Sequence, residues 1–294
     1  HTAATVIDLS ATTGVEKITL SSPATGAHTV QGIAAGIKSV NVTGMTTNGD
    51  AATFSFQNGA VSGAADAVTL QLVSNGVAAG ANVTVNLNPG TGANGFETLT
   101  IESTGGNNGT ATTGTVTIND GNSTTLSTVK VTGTAAANLV LTPDTVKTID
   151  ASGNGAGVAV TVAATANQAQ TITGGAGDDS FNLGVTFDKN DTVVGGTGND
   201  TLQFDINNAA FVLTDTFNVT GIETLRLSGT ALNGTLDVSK FGADVKTVRL
   251  DVALAADRTI SKLANGSTID LRDATNSTLT ANLASVSGTD DSLT

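Results

Sequence analysis

Two nine-residue stretches hold the residues of this 294-residue chain best suited to chemistry. Gly174-Gly175-Ala176-Gly177-Asp178-Asp179-Ser180-Phe181-Asn182 and Gly195-Gly196-Thr197-Gly198-Asn199-Asp200-Thr201-Leu202-Gln203 both read Gly-Gly-x-Gly-x-Asp-x-apolar-x. Glycine admits backbone conformations that turn carbonyl oxygens toward one centre. The Asp at the sixth position adds a hard anionic oxygen, and Ca2+ takes about six to eight oxygen ligands. The apolar residue two positions later, Phe181 or Leu202, is expected to start a short strand and bury its side chain between two sheets.

The pattern resembles the calcium-binding nonapeptide of RTX β-rolls. In a regular roll of that kind each nonapeptide makes half a turn, so loops on one edge return every ~18 residues. Here the two motifs start 21 residues apart, which leaves room for a three-residue insertion. Between them Asp188-Lys189-Asn190-Asp191-Thr192-Val193-Val194 looks like a repeat that has lost its glycines, with Asp191 nine residues before Asp200. The two intact loops are therefore expected to stack on one edge and the degenerate one on the opposite edge. One Ca2+ is expected between Asp179 and Asp200, with carbonyls of Gly174, Ala176, Gly195 and Thr197 as further ligands and Asp178 and Asn199 in the same loops. Asp191 or Asp188 is the candidate for a weaker site. The competing reading is a pair of Gly-Asp turns without metal, and the third repeat in register speaks against it.

Other candidates carry less. Asn48-Gly49-Asp50 and Asn119-Asp120-Gly121-Asn122 are turn chemistry before they are ion caps. His1 and His28 are isolated, and no His-Glu-x-x-His or Gly-x-Ser-x-Gly occurs. Polysaccharide-active sites normally offer aromatic platforms, and the chain has no Tyr or Trp. The expectation is that the segment is not an enzyme. Without Cys there is no disulfide, thiolate nucleophile or thiolate metal site.

Twelve Lys and Arg against 25 Asp and Glu give a net charge of −13. That balance argues against nucleic acid, whose phosphates need basic stripes, and against an anionic membrane surface. No apolar run approaches the ~20 residues of a spanning helix, so no membrane insertion is expected. Unfilled calcium sites account for part of the negative charge on this reading. The chain starts at His1 without Met or a signal peptide, which suggests a fragment or processed product.

The elements that must position the motifs are short strands. Period-two alternation recurs, as in Val68-Thr69-Leu70-Gln71-Leu72 and Val83-Thr84-Val85-Asn86-Leu87, and helical periodicity is nearly absent. Gly/Asn/Ser/Thr turns separate the strands, including 104–109 and 153–157. Gly14-Val15-Glu16-Lys17-Ile18-Thr19-Leu20, Gly95-Phe96-Glu97-Thr98-Leu99-Thr100-Ile101 and Gly221-Ile222-Glu223-Thr224-Leu225-Arg226-Leu227 repeat one pattern. Their Glu is expected at a rung edge, pairing with Lys or capping a turn, rather than on a metal. Strand cores returning every ~10–25 residues suit stacked rungs. The fold class is all-β, an elongated β-solenoid or β-roll-like stack, with β-sandwich domains as the alternative. Three regions are expected: a strand-repeat region 1–170, a calcium roll 171–206, and further repeats 207–294. The last ends at Gly288-Thr289-Asp290-Asp291-Ser292-Leu293-Thr294, which resembles a partial calcium repeat or reads as a polar tail. With nine Phe and no other aromatics, rungs with little aromatic core are expected.

An acidic, Cys-free chain rich in Ala, Thr, Gly and Asn, with GIETLRL-type strands around GGxGxD loops, resembles bacterial RTX-type surface-layer proteins. That resemblance implies type I secretion to the cell surface and Ca2+-driven self-assembly into a two-dimensional lattice. It also implies an anchor to lipopolysaccharide through a region that this sequence does not match. A segment of a large RTX adhesin or biofilm protein is the alternative, and a catalytic domain elsewhere in an RTX enzyme is a third possibility.

Overall fold

The computed structural model describes residues 4–21, 26–76, 80–90, 95–109, 114–121, 124–163, 167–207, 211–229, 231–232, 234–254, 257–272 and 278–284. They form two compact units, 1–164 and 165–294. His1, Asn122 and the repeat-like end 288–294 lie outside the described residues.

In the first unit successive strands alternate between two parallel sheets. One sheet holds, in order, Thr5–Asp8, Ala27–Ile33, Ala51–Phe56, Val83–Asn88, Val116–Asn119, Ala137–Leu141 and Val158–Val162. The other holds Ile18–Ser21, Ser39–Thr43, Ala67–Val73, Thr98–Thr104, Thr128–Gly133 and Thr148–Asn154. Each strand pairs in parallel with the strand two elements on, which is a stack of rungs. An antiparallel sandwich of the same strands is thereby ruled out.

Period-two alternation builds the interior. Ile18, Val40, Leu70, Ile101 and Val131 follow one another in register and are all buried. Ala52, Val85, Ile118, Leu141 and Val162 do the same in the facing sheet. Burial of each Val, Leu or Ile contributes about 1.5–3 kcal/mol. One turn of the stack takes 20 residues at Val129↔Ile149 and 30 at Val40↔Leu70. The strands keep their register while loops absorb the difference.

Buried amides close one corner of these turns. Asn75 Oδ1 accepts the Met45 N–H (3.0 Å), and Asn108 Oδ1 accepts the Asn75 N–H (2.9 Å) and the Asn75 Nδ2–H (3.0 Å). Asn75 Nδ2 also donates to Val42 O, and Asn108 Nδ2 donates to Leu72 O and Ser103 Oγ. Both side chains are fully buried. The side-chain ladder runs beside backbone bonds between the same turns, Gly76 N–H to Met45 O and Gly109 N–H to Asn75 O, so these buried polar groups are paired.

In the second unit Thr171–Thr173, Thr192–Val194 and Asn218–Thr220 form one parallel sheet. Ser180–Gly184, Thr201–Asp205, Thr224–Ser228, Thr247–Leu250 and Thr268–Leu271 form another. Smaller parallel sets follow, Ala231–Leu232 with Ala253–Leu254 and Thr235–Asp237 with Arg258–Leu263 and Leu279–Leu283. Residues 171–206 are the opening turns of this unit.

The unit has an aromatic core, contrary to the expectation from composition. Phe187, Phe204, Phe211, Phe217 and Phe241 are all buried together, with ring centroids from 4.6 Å (Phe217–Phe241) to 6.4 Å (Phe187–Phe241). A low count does not prevent clustering: five of the chain's nine Phe meet here. Among the described residues no helix is long and apolar enough to cross a membrane.

Candidate metal centre

The loop Gly174–Asp179 leads from strand Thr171–Thr173 into Ser180–Gly184, and Gly195–Asp200 leads from Thr192–Val194 into Thr201–Asp205. The flanking strands pair directly, Ile172↔Val193 on one side and Phe181↔Leu202 on the other. The loops therefore lie one above the other, and a parallel bridge joins Ala176 to Thr197. Phe181 and Leu202 point inward and are buried. Asp188–Asp191 joins Ser180–Gly184 to Thr192–Val194, which places it on the opposite edge. Gly174, Ala176, Asp178, Asp179, Gly195, Thr197, Asn199 and Asp200 are thus brought to one edge, and Asp188 and Asp191 are not among them.

The glycines are needed because backbones come close. A Cβ on Gly174 would lie 1.8 Å from Gly195 O and 2.5 Å from Asp179 Oδ2. A Cβ on Gly195 would lie 1.7 Å from Gly221 O and 2.5 Å from Asp200 Oδ2. In each turn a carbonyl oxygen of the next turn and a carboxylate oxygen converge where a side chain would otherwise stand.

Hydrogen bonds link the column. Asp179 Oδ2 accepts the Gly175 N–H (2.8 Å), Asp200 Oδ1 accepts the Asp179 N–H (2.8 Å), and Asp178 Oδ1 accepts the Asn199 N–H (2.8 Å). Gly175 O accepts the Thr197 N–H (3.0 Å). Glu223 Oε2 accepts the Asp200 N–H (2.8 Å), and Asp244 Oδ2 accepts the Gly221 N–H (2.9 Å). The Glu of the GIETLRL repeat thus caps the turn beneath it and continues the aspartate column. Glu97 does the same in the first unit, accepting the Asp66 N–H (2.6 Å).

Asp200 Oδ2 is buried without a hydrogen-bond partner, and the residue has no exposed surface. An orphaned anionic oxygen in such a place is costly unless a cation meets it. Among the described residues no three His, Cys, Asp or Glu side chains converge as a metal cluster. A cation here would therefore draw on backbone carbonyls as well as carboxylates, and Ca2+ accepts that mixture. Donor chemistry, glycine cradle and orphaned oxygen together fit Ca2+.

The opposite corner is self-contained. Asp191 Oδ2 accepts the Asp188 N–H (2.8 Å) and its Oδ1 the Gln170 N–H (2.8 Å). Asp188 accepts from the Asn190 N–H and from Asn190 and Asn167 Nδ2. Asp50 repeats this arrangement, accepting from Thr47 N and Gly26 N, so Asn48-Gly49-Asp50 is a capped turn.

Burial pushes the Asp200 carboxyl up to about 6, opposed by the Asp179 N–H bond and reinforced by the charges of Asp179, Glu223 and Asp178. Burial also pushes Asp191 up to about 6, opposed by the N–H bonds from Asp188 and Gln170 and reinforced by the Asp188 charge. An unfolded Asp titrates near about 3.9. Between about pH 4 and 6 the folded state then binds more protons than the unfolded one. The contribution of these carboxyls to metal-free stability falls as pH rises through that window and is flat above it. Thermal melts of metal-stripped protein should show a loss from pH 5 to pH 7 that shrinks in Asp191→Asn. An unchanged loss in that variant would contradict the assignment.

Glu223 and Asp244 join the glycine-rich corner through Asp200 and Gly221, where the sequence placed Glu223 as a cap and not among the metal ligands and did not single out Asp244. The available signal was the GIETLRL repeat, whose Glu occupies the turn position held by Asp in the glycine-rich loops. No protein-family model, curated protein or solved structure matches the chain.

Proposed function

We propose that the chain is a structural, non-enzymatic segment of a bacterial cell-surface protein that self-assembles into a two-dimensional lattice when Ca2+ is present. Export by type I secretion is part of the same RTX surface-layer reading. The observation that carries it is the stack of two Gly-Gly-x-Gly-x-Asp loops, in which Asp179 Oδ2 and the Gly195 carbonyl of the next loop converge beside Gly174. Asp179 and Asp200 would hold the ion with carbonyls of Gly174, Ala176, Gly195 and Thr197, and Asp178 and Asn199 flank them. When bound, Ca2+ supplies the positive charge that this acidic corner lacks.

The chain's own residues then explain a switch. At low cytosolic Ca2+ the carboxylates of Asp178, Asp179, Asp200 and Glu223 repel one another and favour the unfolded, exportable chain. Outside the cell, ligand binding adds to folding free energy, about 2.7 kcal/mol at a hundredfold excess over Kd.

Calorimetric titration should give a Ca2+ stoichiometry that falls by at least one in Asp179→Ala/Asp200→Ala. An unchanged stoichiometry removes the site. Electron microscopy with millimolar Ca2+ against EGTA should show ordered sheets only with Ca2+. Monomers in both conditions would rule out lattice formation and leave an adhesin stalk.

A further inference from the structure

Asp200 differs from Asp179 in one respect that the shared motif does not explain. Asp179 Oδ2 is held by the Gly175 N–H within its own loop, whereas Asp200 Oδ2 has no such bond and faces the next turn. Asp200 Oδ2 and the Gly221 carbonyl oxygen converge on the point where a Gly195 Cβ would stand, 2.5 Å and 1.7 Å from it. The Gly221 peptide is anchored by the Asp244 carboxylate, and Glu223 is tied to the Asp200 N–H. Among the described residues neither Asp200 nor Glu223 has an ion-pair partner. Two carboxylates thus sit on adjacent turns beside a carbonyl oxygen with no cation of the chain's own to offset them.

We propose that a second Ca2+ position lies one turn beyond the glycine-rich loops, formed by Asp200 Oδ2, the Gly221 carbonyl and the Glu223 carboxylate. It rests on the Ca2+ reading of the same corner and extends it into a turn that has no Gly-Gly-x-Gly-x-Asp motif. The ligand class is a hard divalent cation, because every donor is oxygen. With few protein ligands the ion keeps several waters, so binding belongs in the about 10⁻⁴–10⁻³ M range of extracellular sites. Asp200 is then shared, holding one ion toward Asp179 and one toward Glu223. Glu223→Gln keeps an acceptor for the Asp200 N–H and removes the charge.

Titration of the full chain with CaCl2 separates this from the reading it builds on. Glu223→Gln should bind one Ca2+ fewer than the wild type, Asp179→Ala one fewer, and Asp200→Ala two fewer. Glu97→Gln, which removes a carboxylate from an equivalent cap without a glycine-rich neighbour, should bind as the wild type does. Circular dichroism of metal-free Glu223→Gln should match that of the wild type. Should that variant misfold, the Asp179→Ala and Asp200→Ala pair still decides, because the second position requires Asp200→Ala to lose one ion more than Asp179→Ala. Wild-type stoichiometry in folded Glu223→Gln, or equal losses in the Asp pair, overturns the second position alone. No Ca2+ bound by the wild type overturns both.

Discussion

Asn108→Leu should destabilise the chain by about 3–5 kcal/mol, read as a fall in the denaturation midpoint at unchanged slope. The side chain is fully buried and makes five hydrogen bonds, two received from Asn75 and three given to Leu72 O, Ser103 Oγ and Thr104 O. Leucine keeps the branched shape but carries bulkier methyl groups, so crowding adds to the polar loss. Each buried group left unsatisfied costs about 1–3 kcal/mol, and the Asn75 N–H and Asn75 Nδ2–H have no water to turn to. The effect is passed along the corner, because Asn75 itself carries the Met45 N–H. Asn119→Ala makes a useful contrast. Asn119 bonds Asn86 and Thr142 from a half-buried position on the outer face, where water can replace them, so its loss should cost about 1 kcal/mol. Equal effects for the two variants would show that the buried ladder is not what holds these turns.

Gly195→Ala should cost about 3 kcal/mol or more and abolish Ca2+ binding at the glycine-rich corner. The added carbon would stand 1.7 Å from a backbone oxygen, Gly221 O, and 2.5 Å from Asp200 Oδ2. A flexible side chain could swing away, but a carbonyl in a parallel stack moves only if two turns separate. Separation would also stretch the Gly195 N–H bond to Thr220 O (2.9 Å) and the Glu223 and Thr224 N–H bonds to Asp200 O. Overpacking of this kind is not relieved by repacking. Gly155→Ala is the control: no atom lies within 4 Å of its Cβ position and its φ is not in the left-handed region. It should be neutral or stabilise by up to about 1 kcal/mol through the unfolded chain. Wild-type melting and Ca2+ titration curves for Gly195→Ala would disprove the close approach.

Much of the stack was legible in the residues themselves. Alternation in Val68–Leu72 or Val83–Leu87 identifies strands and their buried face, because side-chain direction along a strand depends only on neighbours two positions away. The glycine-rich loops, their stacking on one edge and the place of Asp188–Asp191 on the other followed from spacing. Of the two roles expected for Glu97 and Glu223 from their place in a repeat, pairing with Lys or capping a turn, the structure shows the cap.

Only the tertiary structure decided what those local patterns pair with. Lateral neighbours in this fold are 20 to 33 residues apart, and loops of unequal length set that distance. No local period therefore reveals that Asn75 meets Asn108, or that five scattered phenylalanines share one core. The same holds at the candidate metal centre. Asp179 and Asp200 occupy identical places in identical motifs, so sequence treats them alike. Stacking separates them: the turn after Asp179 is another glycine-rich loop, while the turn after Asp200 brings Gly221 and Glu223. The chain specifies the oxygens locally, and the packing of one turn on the next determines which of them is left without a partner.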